Sequence, residues 1–331
     1  MRNSLDKDLV PVWKKGLLVT NTFLKNQKFV THYEWLKEAA KQFQIALSLL
    51  DNVELLYTVG EMAEGEGGQQ CLERIAAEYD FILYWDKDIP QGKLLQAICQ
   101  EKGIPVYNQI EAIAACDNKF ETYYRIWEWN RRKGVGEQIP IIPTIAAPMT
   151  YDNIGYNRLD FVEQVICRLG LPLVIKECYG SFGMQVYLAE TKEEILDYTK
   201  KLAGKPFIYQ KYLEKSSGRD VRLQVVGDKV VAAMYRFSEG EDFRANITNG
   251  GSMKAYVPSK KECDLAVQAA KVLGLDFAGV DLLFSGGESG EADVVCEVNS
   301  NAHFKNIFTC TGVNVAECIM EYITVKVKLV C

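Results

Sequence analysis

Asp281, Glu297 and Asn299 are the residues whose types and spacing carry the most chemistry in this chain. They lie in two short apolar segments, Gly-Val-Asp-Leu-Leu-Phe at 279–284 and Val-Val-Cys-Glu-Val-Asn at 294–299. The stretch between them, Ser-Gly-Gly-Glu-Ser-Gly-Glu-Ala-Asp, is turn chemistry, so the pattern predicts a β-hairpin with a long loop. Side chains at i and i+2 of a strand share a face, which projects Glu297 and Asn299 together, and a paired hairpin brings Asp281 beside them. Two carboxylates and an amide oxygen form an all-oxygen set, suited to Mg²⁺ and poorly suited to Zn²⁺. Mg²⁺ held by few protein ligands usually also binds substrate phosphates, so the hairpin points to an enzyme that handles a nucleoside triphosphate. The competing reading is a solvated hairpin face, or carboxylates paired with Arg236.

A second candidate lies upstream. Lys176 ends an apolar run, and Tyr-Gly-Ser-Phe-Gly-Met at 179–184 turns into the next one. Gly180 and Gly183 permit positive φ and close backbone approach, so the N–H groups of such a turn can cradle phosphate oxygens beside the Lys176 cation. The spacing is not that of a P-loop, and no helix follows at once, so an ordinary hairpin turn remains the alternative. Cys178 stands at the mouth of this turn, where it is expected to be accessible. A nucleophilic role is not expected, because no histidine lies near it in sequence.

The elements that must position these residues fall into three parts. In the first, 1–118, strands are expected at 17–22, 53–57, 81–85 and 104–107 and helices at 31–50, 69–78 and 91–102, with a Gly-rich loop at 65–68. This alternation predicts a parallel α/β sheet. In the second, 119–205, helices at 117–130, 158–169 and 191–203 alternate with strands at 139–144, 173–177 and 185–188, an α+β pattern; Thr191 and Glu194 give the third helix a capping box. In the third, 206–331, a strand at 207–210 precedes a hairpin of 221–226 with 229–236. A basic, Gly-containing loop at 238–252, a helix at 259–273 stopped by Gly274, the metal hairpin and a helix at 314–323 follow.

Composition narrows the function classes. The 331 residues are 48% hydrophobic and 25% charged, as in ordinary globular proteins. The net charge of −6 argues against general nucleic-acid binding. No apolar run approaches the roughly 18 residues of a membrane span, and the N-terminal residues lack the apolar core of a signal peptide, so no membrane association and a cytoplasmic location are expected. The ten cysteines are irregularly spaced without a C-x-x-C pair, and there are only two histidines, so a zinc site is not expected. Cys99, Cys167 and Cys318 sit in apolar periodic segments and read as buried reduced thiols.

Taken in order, Lys119 in Asp-Asn-Lys-Phe, Lys176, the glycine turn, Tyr-Gln-Lys-Tyr-Leu at 209–213, Gly-Arg-Asp-Val-Arg at 218–222, Arg236, Asp-Phe-Arg-Ala-Asn at 242–246, Gly250-Gly251, Asp281 and Glu-Val-Asn at 297–299 form a succession. It resembles the ATP-grasp superfamily and, within it, the RimK-type α-L-glutamate ligases, over 119–325; residues 1–118 fit the preceding Rossmann-like α/β domain of that family only in general character. The resemblance implies two α+β lobes sandwiching ATP. It implies that Lys119 and Lys176 contact ATP phosphates, and that the turn with Gly180, Ser181, Gly183 and, at its end, Gln185 is a flap over them. Lys211, Tyr212 and Leu213 would form the hinge at adenine, and Asp220 would lie near the ribose. Asp281, Glu297 and Asn299 would hold Mg²⁺, with two ions and Mn²⁺ as a substitute. Arg244, with Lys176, would be catalytic, facing the γ-phosphate and an acyl phosphate. Arg236 and Asn246 fall where the family binds acceptor or acyl substrate, and Asn301 and His303, just past the metal set, are grouped with them.

The implied reaction is ATP- and Mg²⁺-dependent ligation of a carboxylate to an amine through an acyl phosphate, adding an amino acid such as glutamate to a peptide, protein or small molecule, in a homodimer or homotetramer. The alternative is a nucleotide-binding sensor or scaffold without turnover. The chain departs from the family pattern at Ser-Asn-Ala-His-Phe (300–304), where Ser-Pro-Gly is frequent after the metal asparagine. It departs again at Asn-Ile-Thr-Asn (246–249), where a histidine and a basic residue are common. Both departures lie on the acceptor side and bear on glutamate as the transferred amino acid.

Overall fold

A computed structural model describes residues 13–57, 59–60, 68–180, 183–240, 242–245, 250–287 and 290–330. Ser181, Asn246 and most of the 65–68 loop lie outside them. The chain divides into two compact units, one formed by the described residues up to Ile110 with those from Ala316 onward, the other by Glu111–Val315. No helix among the described residues is long and apolar enough to cross a membrane.

In the first unit, β1 (Lys14–Thr20), α1 (Gln27–Gln42), β2 (Ile45–Asp51), α2 (Gly68–Glu78), β3 (Phe81–Tyr84), α3 (Ile89–Glu101) and β4 (Val106–Tyr107) alternate. The four strands form a parallel sheet in the order β2-β1-β3-β4. Leu17, Leu18 and Val19 of β1 and all of β3 are buried, the continuous apolar run expected of a strand covered on both faces. The expected helix over 31–50 is corrected. Helix α1 stops at Gln42, Gln44 turns the chain at φ 56°, and residues 45–51 pair with β1 as β2. Ile45 and Leu47 are buried while Ala46 and Ser48 are exposed, so the period is two; Phe43, Leu47 and Leu50 merely coincide with a helical spacing. The strand expected at 53–57 is instead a short 3-10 helix, Asn52–Leu55.

The second unit begins with α4 (Ile110–Asp117) and α5 (Lys119–Asn130) and holds two antiparallel sheets. The smaller, in the order β5-β8-β6-β7, uses β5 (Thr144–Ala146), β6 (Leu173–Glu177), β7 (Val186–Ala189) and β8 (Phe207–Lys211), with α6 (Phe161–Leu169) and α7 (Lys192–Lys201) packed through Val162, Val165 and Ile195. The larger, β11-β10-β9-β12-β13, is built from β9 (Arg219–Val226), β10 (Lys229–Phe237), β11 (Ser252–Ala255), β12 (Phe277–Leu283) and β13 (Val294–Asn299). Helix α8 (Lys260–Val272) buries Leu265, Ala266, Ala269 and Ala270 against it. Both Thr191 and Ser259 close capping boxes, with Glu194 and Glu262. Helices α9 (Lys305–Thr311) and α10 (Val315–Val330) end the chain. The strand expected at 139–144 shrinks to an isolated bridge of Ile141 with Val295, and β5 starts at Thr144. Pro140 and Pro143 lack the N–H groups a ladder needs.

Candidate functional site

The metal hairpin forms as β12 and β13. Asp281 lies directly opposite Glu297, and Gly279 opposite Asn299. A register shift follows, because Leu282 pairs with Val295 and leaves Cys296 as the extra residue of a β-bulge. The bulge breaks the strict alternation of β13, so Cys296 and Glu297 both line one cleft. Glu297 is the open carboxylate; its side chain is one-third exposed, with Lys119 Nζ 3.8 Å from Oε1.

Asp281 is the closed one. Arg222 lies opposite it on β9, and its Nε and Nη2 donate to the two carboxylate oxygens at 2.6 Å each. Arg236 Nη2 adds a third contact at 2.9 Å and holds Asp220 in a fork at 2.6 and 2.7 Å. Three buried charges and the partly buried Arg222, on β9, β10 and β12, thus sum to zero. Burial acts to raise the Asp281 carboxyl, but Arg222 and Arg236 outweigh it and hold it below the usual carboxylate range. At Asp220 burial prevails over Arg236 and Arg222, and Asp281 adds repulsion, so that carboxyl is raised. Arg236 is lowered by burial and raised more strongly by the two carboxylates, so it stays charged.

These residues fit Mg²⁺. Among the described residues Asn299 Nδ2 is buried without a hydrogen-bond partner, so its carboxamide is not committed to them. Glu297 is the donor that opens on the cleft, Asn299 lies behind it with its amide uncommitted, and Asp281 offers only the lone pair that its arginines leave. Among the described residues no group of three or more His, Cys, Asp or Glu is placed to hold a metal. An ion here would complete its shell with the amide, water and phosphate oxygens, as Mg²⁺ usually does.

The cations converge on the same cleft. Lys119 is the first residue of α5, whose N-cap Asn118 accepts from the Phe120 and Glu121 amides. Its Nζ donates to the Gly180 carbonyl at 2.9 Å. Lys176, on β6, reaches across to Cys296 Sγ at 3.8 Å. Arg244 is gripped by Asp242 through Nε and Nη2, both at 2.9 Å, and donates to the Gly183 carbonyl at 2.8 Å. Two of the three cations thus bind carbonyls at the ends of the glycine turn. Gly180 has φ 146°, and a Cβ there would lie 2.4 Å from Gln185 Oε1, so the turn needs glycine at that point.

Lys211, Tyr212 and Leu213 leave β8 along the cleft. The Lys211 amide donates to the Pro143 carbonyl, Tyr212 stands edge-on to Phe243 at 6.3 Å, and Leu213 packs with Tyr123 and Ile142. With Gly180, Gly183, Gln185, Asp220, Arg236 and Arg244 they line it; Asn299, Asn301 and His303 do not. The His303 carbonyl instead accepts from Gln224 Nε2 at 3.4 Å. Asp220 and Arg236, grouped by sequence with ribose and substrate, spend their polar atoms on each other and on Asp281. Cys178, expected to be accessible, is buried, and burial raises its thiol. Of the three cysteines expected inside, Cys99 is buried, Cys318 half-buried and Cys167 exposed.

Sequence reasoning passed over Tyr123, Gln210, Cys296 and Asp242. Tyr123 lies four residues after Lys119, hence on the same helical face, which is the one local signal for it. Its buried hydroxyl donates to the Cys296 carbonyl at 2.9 Å and reaches that of Val295 at 3.3 Å. Asp242, two residues before Arg244, was visible only as a neighbour.

Residues 144–323 match the model of the RimK-like ATP-grasp domain. A probable α-L-glutamate ligase of Methanococcoides burtonii is 36% identical over 78% of this chain and 77% of its own length. One of Cellvibrio japonicus is 34% identical over 71% and 72%. Beta-citrylglutamate synthase B of Danio rerio is 30% identical over 68% of this chain and 51% of its own. Among solved structures, the ATP-grasp ligase PsnB with a minimal precursor superposes at TM-score 0.66, 19% identity, over 96% of this chain and 100% of that one. The D-alanine–D-alanine ligase of Bacillus anthracis with ATP superposes at TM-score 0.65, 14% identity, over 96% and 99%.

Proposed function

Because the chain belongs to the RimK-like ATP-grasp family and is an ATP-dependent ligase working with ATP and Mg²⁺, we propose that it joins a carboxylate to an amine through an acyl phosphate. A carboxylate repels nucleophiles by its charge; γ-phosphoryl transfer turns it into an acyl phosphate that an amine attacks, releasing phosphate and leaving ADP. The observation that carries this reading is the convergence of Lys119, Lys176 and Arg244 with Glu297 on one cleft bounded by the glycine turn. Three fixed cations offset charge on a transferring phosphoryl group, and positioning supplies the rest, so no nucleophilic side chain is required.

In this reading the backbone around Gly180 and Gly183 and the Lys119 and Lys176 amines bind the phosphates. Arg244, oriented by Asp242, faces the phosphoryl group in transfer. Glu297 and Asn299, with the remaining lone pair of Asp281, would hold Mg²⁺, which would supply positive charge against that of the phosphates; two ions, replaceable by Mn²⁺, belong to this reading. Lys211 to Leu213 face adenine. Asn246, Asn301 and His303 belong to the acceptor side. The amine is an amino acid such as glutamate, and the carboxylate belongs to a peptide, protein or small molecule, a reading supported by the names of the relatives.

An ADP-release screen over paired carboxylates and amino acids tests this. Turnover requiring ATP, Mg²⁺ and both substrates, and lost in Glu297→Gln, is the expected result. ADP release indifferent to carboxylate and amine across the panel overturns the pairing.

A further inference from the structure

Tyr123 stands out among groups not assigned a role above. Its hydroxyl is buried in the floor of the cleft, and it sends its proton to the one place where β13 departs from regular pairing. Cys296 is the extra residue of the bulge, and an unpaired strand carbonyl there needs a donor. Tyr123 supplies it at 2.9 Å, with the Val295 carbonyl at 3.3 Å as a second acceptor. Gln210, which lines the same cleft, is itself held by donating to Thr144 Oγ1 at 2.9 Å. Lys119 projects from the same face of α5 one turn earlier and meets the Glu297 carboxylate at 3.8 Å. One helix therefore touches consecutive residues of β13, the backbone of Cys296 and the side chain of Glu297.

We propose that Tyr123 is a positioning residue for the metal: by pinning the bulge at Cys296 it aims Glu297 into the cleft. The proposal rests on the reading of Glu297 as a metal ligand. Without the bulge, strict alternation would carry Glu297 and Cys296 to opposite faces of the hairpin. A bulge whose carbonyl has lost its donor is free to shift, and a carboxylate on shifting backbone gives up preorganisation. Groups that orient a ligand without touching the ion typically contribute 10- to 100-fold to metal affinity.

The test is Tyr123→Phe, which removes one oxygen and no charge. Binding of the non-hydrolysable β,γ-imido analogue of ATP is measured by calorimetry at stepped Mg²⁺ concentrations. The control is Tyr209→Phe, which removes an equally buried hydroxyl, bonded to Thr199 at 2.7 Å and outside the cleft. The half-saturating Mg²⁺ concentration is expected to rise about tenfold in Tyr123→Phe and to stay put in Tyr209→Phe. The analogue's affinity without metal should be unchanged in both. An equal metal requirement in Tyr123→Phe and wild type makes Tyr123 a packing residue and overturns the proposal while leaving the metal site standing. Wild-type binding indifferent to Mg²⁺ overturns the underlying reading and the proposal with it. Should Tyr123→Phe fail to fold, 3-fluorotyrosine at 123, which keeps the hydroxyl and strengthens it as a donor, serves instead. A lower metal requirement supports the proposal, and an unchanged or higher one counts against it.

Discussion

Asp281 and Glu297 stand opposite each other on one hairpin and share a proposed task, yet neutralising them should have very different effects on stability. Asp281→Asn keeps the shape and removes one charge from a row that sums to zero, leaving the guanidinium groups of Arg222 and Arg236 with Asp220 as the one carboxylate remaining in that row. The side chains of Asp281, Arg236 and Arg222 are 6%, 6% and 14% exposed, so water cannot replace the lost partner. Breaking a buried pair from one side costs about 3–5 kcal/mol. For a unit of this size each kcal/mol moves the midpoint by about 2–4 °C, so Asp281→Asn should melt roughly 6–20 °C lower. The Glu297 side chain is one-third exposed and, among the described residues, is paired with Lys119 at 3.8 Å. Glu297→Gln should therefore stay within about 1 kcal/mol of wild type. Thermal unfolding followed by near-ultraviolet circular dichroism, without nucleotide so that binding does not mask the difference, is the assay. ADP release on the same samples should be lost in both variants. An Asp281→Asn protein melting with wild type, or two variants equally destabilised, would refute the buried-row reasoning.

Asp242 has its carboxyl held below the ordinary value by hydrogen bonds from Arg244 and by its charge. A group with a depressed folded-state pKa contributes stability that is present above its unfolded value, about 4, and lost as pH falls through the folded one. Asp242→Asn should thus flatten the acid limb of the stability curve by under about 1 kcal/mol, seen in urea midpoints between pH 6 and 3, and slow turnover by freeing Arg244. In Gly279→Ala the new Cβ would lie 2.4 Å from Ala302 Cβ, so the loop at 300–304 must move; a loss of about 1–3 kcal/mol in urea unfolding is expected, together with a raised KM for the acceptor. EDTA should abolish ADP release, and excess Mg²⁺ should restore it; turnover that survives chelation would remove the metal from the reading.

Much of the site was legible because its signals are local. The i, i+2 spacing of Glu297 and Asn299, the glycines at 180 and 183 and the ordered lysines are properties of a few consecutive residues. The alternation of strands and helices in the first hundred residues was equally visible. The break between α1 and β2 was hidden, since Phe43, Leu47 and Leu50 satisfy a helical spacing while Ile45 and Leu47 satisfy a strand.

The sequence by itself determined which chemical groups are present, that they resemble those of a phosphate- and Mg²⁺-handling family, and that a paired hairpin brings Asp281 beside Glu297 and Asn299. Only the tertiary structure decided how these groups are spent. Arg222 opposes Asp281, and Arg236 reaches both Asp220 and Asp281, because β9, β10 and β12 are neighbours in a particular register. One carboxylate was thereby closed by arginines and the other left open. The bulge at Cys296, and a tyrosine hydroxyl from α5 at its carbonyl, join residues more than 170 positions apart. Local spacing records what a strand or a turn can present; which partner meets it across a sheet depends on register and packing, to which every residue of the core contributes.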